Sequence, residues 1–319
     1  MENITEYLNN TVPQRALQDE LNTGILVKVI FSMTLCLIFL YVNGIMLFTL
    51  STRSTFRETS RYILFAHMLF NDSIQLLTSM LLYIFASVSL HFITGVCAIL
   101  FLIASITYCN SPLNLAMMAL ERYIAICFPL RHSEIATPKR TGMAIGVIWF
   151  FGSMNDIIRI MIILITEPLY FLSSVHCTTK KLFRRKMLLD VSTAFTALYF
   201  VAVTLIIIYT YVAIMLEARS VSCEKISVTK ARNTVLLHFF QLALCLTSFL
   251  HGVMETLASN LDGSVFLTLQ YILFIVLIIF PRCLSPLIYG LRDESFRPLV
   301  KYYFMFALRN RVKPHSVTI

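Results

Sequence analysis

The chain has 319 residues, of which 58% are hydrophobic and 13% charged. Its mean hydropathy is +0.77. A soluble domain of this size could not hide so much apolar surface. The net charge of +9 would suit a nucleic-acid partner, but the basic residues follow the spans of a membrane protein instead.

In chain order, the first stretch is polar through Asp19 and holds no apolar core preceded by basic residues. No cleavable signal peptide is expected, so the first apolar run serves as the anchor. Asn3-Ile4-Thr5 and Asn9-Asn10-Thr11 in this stretch are glycosylation sequons.

Seven apolar runs follow, roughly 25–50, 61–88, 95–127, 142–165, 188–216, 231–258 and 264–290. Each can cross ~30 Å of hydrocarbon as a helix rising ~1.5 Å per residue. The short alternating segments of a β-barrel are absent. The expected fold is an all-α membrane protein, a seven-transmembrane-helix bundle with a short C-terminal amphipathic helix. The expected divisions are residues 1–24 as an extracellular segment, 25–290 as the bundle, and 291–319 as a cytoplasmic helix and tail.

Lysine and arginine placement sets the orientation. With the N-terminus outside, 17 of the 26 fall on the inside and 7 on the outside, while Arg159 and Arg282 lie within spans. The protein is therefore expected in the plasma membrane, multi-pass, with an extracellular N-terminus and a cytoplasmic C-terminus. A third sequon, Asn71-Asp72-Ser73, falls inside the second run and should escape glycosylation. Of eight cysteines, only Cys97 and Cys177 lie outside under this topology, which makes them the expected disulfide.

The third run carries the most informative stretch. It ends in Met117-Met118-Ala119-Leu120-Glu121-Arg122-Tyr123, followed by a basic loop through Arg131 and His132. Charged groups at membrane depth are costly and usually functional. Cys97 and Arg122 are 25 positions apart, ~37 Å on one helix. The fourth run holds Asp156 and Arg159 one turn apart, expected to neutralise each other. The basic stretch from Lys180 to Lys186 reads as a solvated loop end. The sixth run opens Lys230-Ala231-Arg232-Asn233-Thr234-Val235-Leu236-Leu237-His238. The seventh ends Pro281-Arg282-Cys283-Leu284-Ser285-Pro286-Leu287-Ile288-Tyr289, where the prolines permit a kink. Beyond it, Phe296, Val300, Tyr303 and Phe304 share one face at helical spacing.

This ordered set resembles the rhodopsin-like G-protein-coupled receptors, and within them the odorant receptors, most closely those of fish type. Residues 118–132 follow the odorant pattern M-A-x-D-R-Y-x-A-I-C-x-P-L-R/H-Y. Lys230, Ala231, Thr234 and His238 meet K-A-x-x-T-x-x-x-H. Pro281, Pro286, Ile288, Tyr289, Leu291 and Arg292 meet P-x-x-N-P-x-I-Y-x-L-R. Asn43, Asp72 and Trp149 match further marker positions. The departures are Glu121 for Asp, Ser285 for Asn, and Leu246-Thr247-Ser248 where the family has F-Y-G.

The resemblance implies an odorant receptor that binds a small molecule in the outer half of the bundle and activates a heterotrimeric G protein, of the olfactory stimulatory type. It needs no cofactor or metal and is no enzyme. Its partners are the odorant, the G protein and membrane lipids, with no nucleic acid. Coupling falls to Glu121, Arg122, Tyr123, Tyr211 (or Tyr209), His238, Pro286 and Tyr289. The interior polar site falls to Asn43, Asp72, Ser111, Arg282 and Ser285. Asp72 and Ser111 resemble the family's sodium positions, and Arg282 is expected to pair with Asp72 in sodium's place. Ligand contacts are expected from Ala104, Ser105, Tyr108 and Cys109. Thr193, Thr196, Thr247, Leu250, Met254 and Gln270 complete that set.

Competing readings are a rhodopsin-like receptor for a peptide or lipid, and a membrane transporter. No internal repeat supports a transporter. The seventh run has no lysine for a retinal Schiff base.

Overall fold

The computed structural model describes residues 2–87, 91–167, 170–171, 173–176, 186–220, 240, 243–244, 254 and 263–308. Its helices are α1 (Glu2–Thr52), α2 (Ser54–Glu58), α3 (Ser60–Ser87), α4 (Thr94–Cys127), α5 (His132–Ile135), α6 (Pro138–Thr166) and α7 (Lys186–Ser220). Then come α8 (Gly263–Leu273), a π-helical stretch Phe274–Ile279, α9 (Phe280–Arg292) and α10 (Arg297–Leu308).

Among the described residues, six stretches are long and apolar enough to cross a membrane: Thr23–Thr52, Ser60–Ala86, Thr94–Cys127, Pro138–Thr166, Thr193–Glu217 and Thr268–Ile288. They coincide with six of the seven expected runs. The remaining run, 231–258, lies almost wholly outside the described residues, as do His238, Thr247 and Leu250. The fold is an all-α membrane bundle. The described residues also include a small antiparallel pair, β1 (His91–Ile93) with β2 (Ser174–His176), register His91 to His176.

The residues sort opposite to those of a soluble protein. Phe31, Leu37, Phe48, Phe70, Phe150, Phe151, Val201 and Leu205 are exposed, whereas Asn43, Asn71, Asp72, Asn110 and Asn114 are buried. Apolar side chains can face lipid at no penalty; polar ones must find partners inside. Many hydroxyls bond their own helix one turn back, such as Ser32 to Lys28 O, Thr49 to Ile45 O and Thr204 to Phe200 O. This satisfies a polar group without a neighbour.

The start of α6 follows ordinary rules. Thr137 caps α6 by accepting from the Arg140 N–H at 3.3 Å, with Pro138 at the first helical position. That proline costs nothing there, because its missing N–H would be unpaired anyway. The starts of α3 and α6 are tied by Ser60 and Thr141, whose hydroxyls lie 2.7 Å apart.

The spans are keyed together by polar contacts. Trp149 Nε1 donates to His67 Nε2 at 3.0 Å, and the second nitrogen of His67 lies 3.0 Å from Asn114 Oδ1. An indole only donates. Nε2 of His67 must therefore accept, and Nδ1 carries the proton that goes to Asn114. Asn114 passes the chain on to Leu64 O at 3.1 Å. Three spans, α3, α4 and α6, meet at this one histidine.

Below it in α6, Gly152 lets α4 approach. A Cβ there would sit 2.0 Å from Asn110 Oδ1 and 3.1 Å from its Cγ. Gly152→Ala should therefore overpack this contact, at about 1–3 kcal/mol. The measure is a lower thermal midpoint of the solubilised protein. Gly146→Ala, with nothing within 4 Å of its Cβ, serves as the neutral control. Equal midpoints for the two variants would refute the close α4–α6 contact.

Candidate functional site

Helix α4 organises the site, with Cys97 near one end and Arg122 near the other. Cys97 is buried and disulfide-bonded. Cys177, its expected partner, lies outside the described residues.

In the half toward Cys97, Ala104, Ser105, Tyr108 and Cys109 are all half-buried. Ser105 lies close enough to Asp156 of α6 to favour its carboxylate electrostatically. Asp156 also pairs with Arg159, Nη1 to Oδ1 at 3.2 Å. The expected local neutralisation is thus present. The Tyr108 ring meets Phe200 of α7, centroids 6.2 Å apart. Tyr199 Oη donates to the Cys109 carbonyl. Thr196 is half-buried one turn before Phe200, Gln270 is half-buried, and Thr193 and Met254 are exposed.

Midway, the interior polar site assembles around Asp72. Ser111 Oγ donates to Asp72 Oδ1 at 3.0 Å. Asn71 Nδ2 donates to Ser111 Oγ at 2.9 Å and to Thr107 O at 2.8 Å. The Asn71 sequon is therefore committed to the core. Arg282 Nη1 lies 3.7 Å from Asp72 Oδ1, with both side chains under 5% exposed. The same guanidinium lies over the Tyr108 ring, 5.8 Å from its centroid. One arginine of the seventh span thus touches both the expected pocket and the polar site. Asn43 stands one step aside, donating to Ser73 Oγ at 3.2 Å. Pro286 is buried. Ser285 and Tyr289 are placed in α9.

At the far end, Glu121 is buried and faces a guanidinium and an imidazole. Arg122 Nε lies 3.7 Å from its Oε2, and His132 Nε2 lies 3.3 Å from its Oε1. Tyr123 meets Tyr209, ring centroids 6.1 Å apart. Of Tyr209 and Tyr211, Tyr209 is the one beside the Glu121–Arg122–Tyr123 triplet; Tyr211 is half-buried.

Sequence reasoning missed His67, His132, Phe200 and the contacts of Asp293. Asp293 accepts from Tyr62 Oη at 3.2 Å and pairs with Arg61. The available signal was a histidine in the middle of an apolar run, which needs polar partners.

These positions fit one receptor class, and comparison with known proteins agrees. The family model described as 7 transmembrane receptor (rhodopsin family) matches residues 42–289. Odorant receptor 131-2 of Danio rerio is 35% identical over 299 residues, covering 93% of this chain and 88% of that protein. Olfactory receptor 6B3 of Homo sapiens is 26% identical over 210 residues, 61% of this chain and 60% of its own. Olfactory receptor 2M5, also human, is 48% identical over a 44-residue stretch, 14% of each chain. The chain belongs to the odorant receptors of the rhodopsin family, a multi-pass membrane class.

Proposed function

We propose that this receptor binds a small odorant between spans three, five, six and seven and activates a heterotrimeric G protein of the olfactory stimulatory type. Its N-terminus is extracellular, with Asn3 and Asn9 glycosylated, and its C-terminus is cytoplasmic. The divisions are residues 1–24, 25–290 and 291–319. The positive-inside distribution of lysine and arginine supports this orientation.

The observation that carries the reading is the single helix Thr94–Cys127. Its Cys97 half holds Tyr108 and Cys109, which meet α7 and Arg282. Its other end holds Glu121 paired with Arg122. A ligand that shifts Tyr108 changes the setting of Arg282, and α4 joins that level to the coupling end. Such a ligand acts only by differential affinity for two states. Thr193, Thr196, Thr247, Leu250, Met254 and Gln270 are the further ligand positions. His238, Pro286 and Tyr289 take part in activation, with Tyr289 and Tyr209 or Tyr211 receiving Arg122 once it is released.

Cys97 pairs with Cys177 in this reading. The strand that ends one residue before Cys177 is hydrogen-bonded to the strand that ends four residues before Cys97. That brings residues 173–176 to the start of the helix that holds Cys97.

The test is a broad panel of small odorants on cells co-expressing the receptor and an olfactory-type stimulatory G protein. The expected result is a concentration-dependent rise in cyclic AMP for at least one member. Tyr108→Ala should shift or remove that response while surface staining stays intact. Silence across the panel with proven surface expression would turn the assignment toward a peptide or lipid ligand.

A further inference from the structure

The junction between α9 and α10 holds a polar clasp outside the sites described so far. Asp293 is 7% exposed. Its Oδ1 accepts from the backbone N–H of Ser295 at 3.0 Å and of Phe296 at 2.9 Å. Its carbonyl accepts from the Arg297 N–H at 2.8 Å. The side chain therefore caps the start of the C-terminal helix, where a negative charge is also favoured by the helix dipole.

The same carboxylate reaches across to the start of α3. Tyr62 Oη lies 3.2 and 3.3 Å from its two oxygens, and Arg61 forms an ion pair with it. The Arg61 guanidinium also covers the Tyr62 ring, 5.0 Å from its centroid. With Asp293 so held, Phe296 is fully buried, edge-on to Phe56 and Phe65 with centroids 5.8 and 5.6 Å away. Further along α10, Tyr303 meets Phe48 and Phe304 meets Tyr41 on the first span. Aromatic contacts thus hold the length of the helix, and the clasp holds its root.

Asp293 directly follows α9, and this is the end of the bundle at which Arg122 stands. The inner end of the seventh span cannot move relative to α3 without carrying this carboxylate away from Arg61 and Tyr62. A helix whose root is loose must also be ordered when a partner docks, which weakens docking.

We propose that Asp293 is a positioning residue for G-protein coupling, acting through its ion pair with Arg61 to seat the C-terminal helix. The proposal rests on the coupling function proposed above, and its test separates the two. Asp293→Asn keeps a capping oxygen but loses the charge; Arg61→Gln removes the charge from the other side; Arg61→Lys keeps it. Two quantities are measured on the full-length receptor. One is hydrogen exchange of residues 293–305 in lipid nanodiscs. The other is odorant-free cyclic AMP, at matched surface density, in cells with the stimulatory G protein.

Asp293→Asn and Arg61→Gln should exchange about tenfold faster over that segment and lose at least about half of the basal signal. Arg61→Lys should recover most of both. Unchanged exchange in the two charge-removing variants would overturn the clasp. Faster exchange with an undiminished signal would overturn its role in coupling. A wild type no more active than empty vector, both without odorant and across the odorant panel, with the helix still loosened by the variants, would defeat the coupling function itself and leave the clasp a purely structural contact.

Discussion

Arg282→Ala should remove most of the receptor from the cell surface, or leave it dependent on sodium. Arg282 and Asp72 are both almost fully buried, 3.7 Å apart within the bundle. Deleting one partner strands the other as a buried charge, which costs about 3–5 kcal/mol. That is a large share of the ~5–15 kcal/mol by which a folded protein is typically stable. Two relaxations are open to the stranded carboxylate. It can take up a proton, or a small cation can enter beside Ser111, which already donates to it at 3.0 Å. The second route would make thermal stability or basal signalling rise with sodium concentration, a dependence the wild type should lack. Asp72→Asn combined with Arg282→Gln should recover surface expression, since replacing both charges leaves no uncompensated ion. The measurements are surface staining and cyclic AMP across a sodium series with constant ionic strength. Normal expression and signalling of Arg282→Ala, with no sodium effect, would refute the idea that this arginine stands where a sodium ion would.

That pair was legible in the sequence for a simple reason. An arginine and an aspartate placed within apolar runs each need a partner, and few candidates exist at that depth. The spans were legible for a similar reason: length and apolar content are properties of the linear chain. Contacts that depend on helix rotation were not. Tyr209 and Tyr211 are two residues apart and point to different sides of α7, so which one lies beside Tyr123 is decided by packing. Position in the helix points Ser105 to the pocket, yet it also stands near Asp156 on the neighbouring span. The Asp293 clasp joins residues 231 positions apart. Nothing in the spacing of Arg61, Tyr62 and Asp293 marks them as neighbours, and arginine, tyrosine and aspartate near a membrane boundary each have many ordinary uses. The C-terminal helix is amphipathic, as its residue spacing predicts. Its apolar residues, however, divide their work: Phe296 and Val300 enter the core, while Tyr303 and Phe304 meet the first span.

Glu121→Gln should raise odorant-free cyclic AMP several-fold at matched surface density. The carboxylate is buried at the end of α4, with Arg122 Nε at 3.7 Å and His132 Nε2 at 3.3 Å. Arg122 itself is 18% exposed, so water screens the pair only in part. A contribution of about 1–2 kcal/mol to the resting state is then reasonable, and it equals roughly a 5–30-fold change in the ratio of two states. A receptor resting at a few per cent active would become substantially active without ligand. Glutamine keeps the shape and one acceptor oxygen, so lost packing cannot explain the gain. His132→Ala should give a smaller rise, because His132 carries full charge only when protonated and belongs to the short helix α5 outside the spans. Arg122→Ala should be silent, alone and combined with Glu121→Gln, because the proposed function has the released arginine engage the partner. A Glu121→Gln receptor no more active than wild type, or an Arg122→Ala receptor that still signals, would mean that Arg122 only reaches toward the lipid headgroups and that the resting state is held elsewhere.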